Sequence, residues 1–289
     1  MSDTKKSYNW PYEETPFDIV TARALSKFMT LCILSYDLER NNQVVGHNLC
    51  IEEDSISPES PIIENVKPYW DASSTTVLDF GCGAGNISLY LKPHIHRAIG
   101  VDILNPMINA YKKRTGFDGY CCNIAVDDTP GLDEVQFDVI VCTLTYHHVN
   151  VYNLVTQKLA GRLRAGGWLY VVDFDSTKKY GSHEHVLNLH GLGHNCDDRK
   201  RDELLNQIAF AHKYDFSPEI AISSFESAGL TDIGVDSGLT VRLRPSREEL
   251  QCMNGQEDHG YTNFPHDANG RLDLPFTLLL VAGQKRLYS

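Results

Sequence analysis

The chain has 289 residues, 42% of them hydrophobic and 22% charged, an ordinary globular composition with a full core and room for one to two domains. Acids outnumber bases 38 to 26, giving a formal net charge of −12, and no basic stretch stands out, which disfavours a nucleic-acid partner. No apolar run has the length needed to span a bilayer, so no membrane association is expected.

Residues 1–15 read as a flexible arm carrying Tyr8, Trp10 and Tyr12, and Met1 to Trp10 lack the apolar core of a signal peptide. From Phe17 to Leu38 the apolar residues Ile19, Val20, Leu25, Phe28, Met29, Cys32 and Ile33 recur at helical spacing. Residues 39–74 are polar and broken by Pro58, Pro61 and Pro68, as in a surface connection. Residues 1–74 are therefore expected to form an arm, a helix and a polar loop capping the active site, although core packing explains the helix equally well. A second unit is expected from 75 to 289.

That unit opens on Val77-Leu78-Asp79-Phe80-Gly81-Cys82-Gly83-Ala84-Gly85-Asn86, an apolar run with an acid, then three alternating glycines, then a helix-compatible segment. Strand, glycine turn and helix form the nucleotide-binding corner of an open α/β sheet. The dinucleotide fingerprint Gly-x-Gly-x-x-Gly is absent, because Asn86 takes its last glycine position. A glycine-rich turn can also be only a turn. A second apolar run, Arg97 to Asp102, ends in an acid about twenty residues on, where a carboxylate accepts hydrogen bonds from ribose hydroxyls.

With these two motifs the chain resembles the class I S-adenosylmethionine-dependent methyltransferases. The resemblance implies a Rossmann-like α/β fold: a seven-stranded, mostly parallel sheet with helices on both faces and an N-terminal helical extension. It implies S-adenosyl-L-methionine as cofactor and S-adenosyl-L-homocysteine as product. Asp79, Gly81, Cys82, Gly83 and Gly85 would lie along the methionine part of the cofactor, and Asp102 and Ile103 at the ribose. Asn123, Ile124 and Thr143 fall where the family lines the rest of the cofactor, with Asp127 close by, although Asp127 to Gly131 is also plain turn chemistry.

Further on, the next helix is expected to open near Asn105-Pro106, with Asn as its cap and Pro in its first turn. A third strand is expected over Tyr120–Ile124 and a fourth over Phe137–Cys142, followed by Thr143-Leu144-Thr145-Tyr146-His147-His148-Val149. A polar, histidine-bearing segment at a strand's carboxyl end points to a ligand site, and it resembles the fourth motif of small-molecule methyltransferases. The Asn/Asp-Pro-Pro-aromatic signature of DNA amino-methylating enzymes is missing, which counts against a base-methylating role. His147 and His148 are candidates for base or acceptor orienter, since imidazole titrates near neutrality. The bland alternative is a pair of histidines hydrogen-bonded at the strand end.

A helix over 151–163 leads to a fifth strand, Trp168 to Asp173, through a double glycine, Gly166-Gly167, expected to stop the helix. The family commonly reads Leu-Lys-Pro-Gly-Gly there, and Arg164-Ala165 replaces Lys-Pro. Residues 174–216 form a lid-like insertion after strand five, containing His183, His185, His190, His194 and Cys196. Through Asp173, Asp175 and Gly181-Ser182-His183 this part loosely resembles fungal and bacterial small-molecule members, and His183 is the preferred acceptor-side residue. Without Cys-x-x-Cys or His-Glu-x-x-His the cluster reads as a pocket-lining or solvated loop, so no metal is expected. A helix over Pro218–Ala228 and strands over Leu230–Val235 and Pro275–Ala282 close the fold.

The expected function is methyl transfer to a small-molecule acceptor. The alternatives are a protein or peptide methyltransferase, a non-catalytic cofactor-binding partner and, less favoured, a nicotinamide dehydrogenase. The eight cysteines suggest no disulfide framework and read as free thiols in a reducing compartment, the cytoplasm and also the nucleus.

Overall fold

A computed structural model of the chain describes residues 20–36, 49–50, 67, 69–126, 131–149, 151–189, 216–243, 266 and 272–287. The expected arm over 1–15, most of the polar loop, the Asp127–Pro130 turn, and His190, His194 and Cys196 lie outside the described residues.

The frame is one sheet. β1 (Leu49–Cys50) is a two-residue edge piece, and β2 (Thr76–Phe80), β3 (Arg97–Asp102), β4 (Asp118–Cys121), β5 (Phe137–Thr143), β6 (Leu163–Phe174), β7 (Leu230–Leu243) and β8 (Leu274–Lys285) are the seven strands proper. Their order is β1-β7-β8-β6-β5-β2-β3-β4. All pairings are parallel except those of β8, which runs antiparallel between β6 and β7. The chain starts at β2, winds outward through β3 to β4, then returns to lay β5 on the other side of β2. The order therefore reverses between β2 and β5, and a crevice opens at the carboxyl ends of those two strands.

The strands read as continuous apolar runs because both faces of the sheet are covered. Alternate residues part to opposite sides. Val77, Val139, Val141, Tyr170 and Val172 face a core shared with α1 (Val20–Leu34) and α2 (Asn86–Leu91), while Leu78, Ile140, Cys142, Leu169 and Val171 face a second core with α4 (Tyr152–Arg162) and α6 (Pro218–Ser227). α1 contributes Leu25, Phe28, Met29, Cys32, Ile33 and Leu34, so the expected amphipathic helix is a packed one, and it ends at Leu34. Tyr36, Tyr69 and Trp70 then close against Trp168 and Tyr170 in the middle of β6.

Several boundaries differ from the sequence expectation. α3 (Asn105–Thr115) begins at Asn105 itself with Leu104 in the cap position, so Asn105 makes no side-chain cap. α4 ends at Arg162, and Gly166 (φ +79°) lies in an irregular stretch between the pairs Phe137↔Leu163 and Val139↔Trp168. The double glycine thus bends an already extended strand instead of stopping the helix. β4 covers 118–121, not 120–124, and β7 runs on to Leu243, well past Val235. After β6 the chain makes a tight turn on the sheet end: Asp175 N donates to Thr277 O at 3.0 Å and Thr277 N to Tyr180 O at 2.9 Å. The short helix α5 (His183–Leu189) follows.

Candidate active site

β2 delivers the chain into Gly81-Cys82-Gly83-Ala84-Gly85 at the crevice. The three glycines have φ of +69°, +50° and +86°, a region that Cβ-bearing residues avoid, so the path of the turn requires the alternation. What surrounds them differs. A Cβ on Gly81 would sit 2.0 Å from Thr145 Oγ1, and one on Gly85 2.5 Å from Thr115 Cγ2, whereas one on Gly83 would meet nothing within 4 Å. The outer two glycines are packed against protein, and Gly83 borders open space.

The carboxylate of Asp102, at the end of β3, is bound into this turn. Gly83 N donates to its Oδ2 at 3.0 Å and Leu104 N to its Oδ1 at 2.9 Å. Burial pushes its pKa up, and these backbone donors pull against that shift. A carboxylate oxygen has two lone pairs, so each oxygen keeps acceptor capacity for a hydroxyl. Ile103 follows with 54% of its surface exposed, an apolar side chain beside that acid.

Asp79 has a different environment. It is 1% exposed, accepts from Ser88 Oγ at 2.7 Å, and Ser88 Oγ is also 2.9 Å from Tyr111 OH. Burial raises its carboxyl to about 6. Asp79 therefore pins the start of α2 beneath the turn. The Cys82 side chain is also turned inward, since a Cβ on Gly100 would lie 2.8 Å from its Sγ, and burial raises the thiol pKa. After β4, Asn123 is exposed and its Oδ1 accepts from Ala125 N at 3.1 Å, while Ile124 is buried in the core below.

The second wall leaves β5 at Thr143. Leu144 has φ +47°, a left-handed conformation rare for a side chain-bearing residue, and its N donates to Val172 O at 2.8 Å. Thr145 Oγ1 donates to Thr143 O at 3.0 Å and lies 3.5 Å from Gly81 O, so this exit touches the glycine turn. A 3-10 turn, Tyr146–His148, follows. Tyr146 anchors it, with its ring packed in a triangle with those of Tyr152 and Phe216 and its hydroxyl 3.0 Å from Thr156 Oγ1.

His147 is 7% exposed and doubly held by Asp173 of β6: its backbone N donates to Oδ2 at 3.1 Å and its ring Nδ1 lies 2.7 Å from Oδ1. Asp173 is fully buried and also accepts from Phe174 N at 2.7 Å. The Phe174 ring stands edge-on to the His147 imidazole at 5.2 Å, and the half-buried His148 ring is 4.0 Å away. Thus the glycine turn, Asp102, Thr143 and the His147–His148 turn share the carboxyl edge around the β2/β5 reversal. His183 stands exposed at the start of α5, and His185 behind it packs against Tyr180 and Phe276. Among the described residues no group of three His, Cys, Asp or Glu side chains is placed to hold a metal ion.

The sequence reading did not single out Asp173 as a partner of His147, nor Ser88, Tyr111 and Thr145 as supports. A spacing of 26 residues carries no local signal for the first pair. The register does: Thr143 pairs with Val172, which sets Asp173 one step beyond, beside the departing chain.

Fold and site together give a Rossmann-like sheet with an open cradle at Gly83 beside the Asp102 carboxylate, at the place where sheets of this kind bind nucleotides. Residues 78–171 match the family described as a methyltransferase domain. An uncharacterised methyltransferase of Schizosaccharomyces pombe is 28% identical over 94% of this chain and 94% of its own length. A ubiquinone biosynthesis O-methyltransferase of Hydrogenovibrio crunogenus is 24% identical over 47% of this chain and 60% of its own. The crystal structure of the YcgJ protein of Bacillus subtilis aligns with a TM-score of 0.49 at 18% identity, over 74% of this chain and 93% of that one. The chain is thus similar to S-adenosylmethionine-dependent methyltransferases, over residues 78–171 in the domain match and over nearly its whole length in the Schizosaccharomyces relative, and it is an enzyme that uses S-adenosylmethionine as its methyl donor.

Proposed function

We propose that the enzyme methylates a small-molecule acceptor through a hydroxyl group, with His147 receiving the acceptor's proton. The observation that carries this reading is the contact of Thr145 with Gly81, which ties the His147 turn to the cofactor's glycine turn. The O-methyltransferase name of the Hydrogenovibrio relative is in keeping with it, and so is the chain's acidity, which offers no general attraction for nucleic acid.

In this reading Asp102 accepts the ribose hydroxyls, Gly83 lets the backbone approach the methionine portion while Gly81 and Gly85 hold the path of the turn, and Ile103, Asn123 and Thr143 border the remainder. When bound, S-adenosylmethionine supplies an electrophilic methyl on a sulfonium. The protein's contribution is alignment of the acceptor for in-line displacement, exclusion of water and removal of the acceptor's proton. His148 orients the acceptor beside His147. His183, at the start of α5, contributes to the acceptor side. The free thiols Cys32, Cys82, Cys121, Cys122 and Cys142 suit a cytoplasmic enzyme, and the same reducing conditions hold in the nucleus.

The test is to incubate the purified chain with methyl-labelled S-adenosylmethionine and fractions of a cell lysate. Label in small organic molecules, stable to the mild base that cleaves methyl esters, is the expected result. Label confined to protein bands would replace this reading with a protein methyltransferase.

A further inference from the structure

We propose that Asp173 is a positioning residue that fixes the tautomer of His147, making the site selective for acceptors that must lose a proton during transfer. The inference rests on the assignment of His147 as base. Asp173 is fully buried, and three donors converge on it: the backbone N–H groups of His147 and Phe174 and the ring nitrogen Nδ1 of His147. With two backbone N–H donors aimed at it, the carboxyl group serves as a hydrogen-bond acceptor, and it is the acceptor toward the His147 ring as well. The Nδ1 of His147, 2.7 Å from Oδ1, then carries a hydrogen, so that when the ring is neutral Nε2 is its basic nitrogen.

The ring cannot turn to exchange the two nitrogens without losing that bond, and the edge-on Phe174 and adjacent His148 rings restrict it further. The titratable groups around the pair are His148 on the same turn, Cys142 of β5 and Tyr146. Burial and, to a lesser degree, the Asp173 charge raise both Cys142 and Tyr146, so these two stay neutral and do not compete for the proton.

The resulting step balances. The acceptor's O–H proton passes to His147 Nε2 and its oxygen bonds the methyl carbon, while the C–S bonding pair remains on sulfur as the neutral thioether. The imidazolium so formed lies against the Asp173 carboxylate and later returns the proton to solvent. A thiolate or carboxylate acceptor arrives ionised and gains nothing from this arrangement.

The direct test is ¹⁵N-histidine NMR of the ligand-free enzyme, with His147→Gln used to assign the signal. The expected result is an Nδ1–H tautomer for the neutral ring of His147. An Nε2–H tautomer, or an imidazolium persisting at alkaline pH, overturns the proposal whatever the acceptor proves to be. The second arm compares Asp173→Asn with the wild-type enzyme on catechol and on thiophenol as probes, with S-adenosylhomocysteine affinity followed by calorimetry. The expected loss in kcat is on the order of 100-fold on catechol and far smaller on thiophenol, with the affinity retained. Equal losses on both probes mean a merely structural role and overturn it. Should Asp173→Asn fail to fold, His147→Gln carries the same comparison. If neither probe is methylated, the tautomer decides the inference alone, and the lysate screen separately decides the acceptor class.

Discussion

The amide of Gly83 donates to the carboxylate of Asp102 at 3.0 Å, joining the glycine turn after β2 to the last residue of β3. One carboxylate thus shapes the cradle and, under the proposed function, also accepts the ribose. Replacing it removes charge-assisted hydrogen bonds to the ligand, and Asp102→Ala is expected to weaken S-adenosylhomocysteine binding by about 1.5–3 kcal/mol. Isothermal titration calorimetry measures this directly. Because burial raises the Asp102 carboxyl, affinity should fall as acidification protonates it, and the variant should lose that acid limb. An Asp102→Ala enzyme that binds as tightly as wild type would remove this acid from the site.

Gly81 and Gly83 offer a paired test of which side of the turn is open. Either substituted by alanine incurs the left-handed backbone cost of about 1–2 kcal/mol. Gly81→Ala additionally drives its Cβ into Thr145, whose side-chain atoms would lie 2.0–2.7 Å away. Gly81→Ala should therefore lower the melting temperature more than Gly83→Ala. Gly83→Val, entering the open space, should abolish cofactor binding in a chain that still unfolds cooperatively. Normal binding by folded Gly83→Val would place the cofactor elsewhere.

The parts of this architecture legible in the sequence are those written in local pattern. Val77-Leu78 and Val139-Ile140-Val141 announce buried parallel strands, and alternating glycines announce a turn that needs positive φ. Contacts set by register were not legible. β4 starts at Asp118-Gly119, poor strand formers, because Gly119 pairs with Gly100 and the Tyr111 ring lies over both, with Cβ positions only 3.4 and 2.7 Å from its atoms. β7 continues through Gly234, Ser237 and Gly238 because irregularities at 231–234 and 237–239 absorb a broken alternation while β8 supplies the partner. The His147 segment stood out as a polar, histidine-bearing stretch at a strand's end, but its partner Asp173 comes from a neighbouring strand and is visible only once β5 and β6 are aligned.

The buried Asp79 makes a prediction about stability. Its folded pKa is raised from 3.8 to about 6, so the folded state binds the proton more tightly than the unfolded chain between those values. The sign follows: its contribution to stability is fully present below pH 3.8 and is lost as pH rises through about 6. Asp79→Asn keeps the shape and a hydrogen-bonding partner for Ser88 without the buried charge. It should gain about 1–3 kcal/mol over wild type at pH 8, with the gain shrinking towards pH 4. Urea denaturation at the two pH values measures the difference. A gain that is the same at both would mean that Asp79 does not ionise in the folded enzyme over this range.

Asp175 makes the last prediction, because it secures the beginning of the insertion to the sheet. It is fully buried, its Oδ1 accepts from Thr177 N at 3.1 Å and Thr177 Oγ1 at 2.6 Å, and its Oδ2 accepts from Ser237 Oγ at 2.6 Å and Gly238 N at 3.0 Å. Gly181 closes the same turn so tightly that a Cβ there would stand 2.3 Å from Asp175 O. Removing the carboxylate takes the acceptor from two backbone amides and two hydroxyls at once, and Asp175→Ala should cost about 2–4 kcal/mol in urea denaturation. Thr177→Val removes only one of the four bonds and should cost about 0.5–1.5 kcal/mol. The released turn should become a site of limited proteolysis within 176–182 in Asp175→Ala at a temperature where β5, β6 and the cofactor site remain folded. Protection there equal to wild type would mean that the contacts of Tyr180 and Thr277 hold the turn without Asp175.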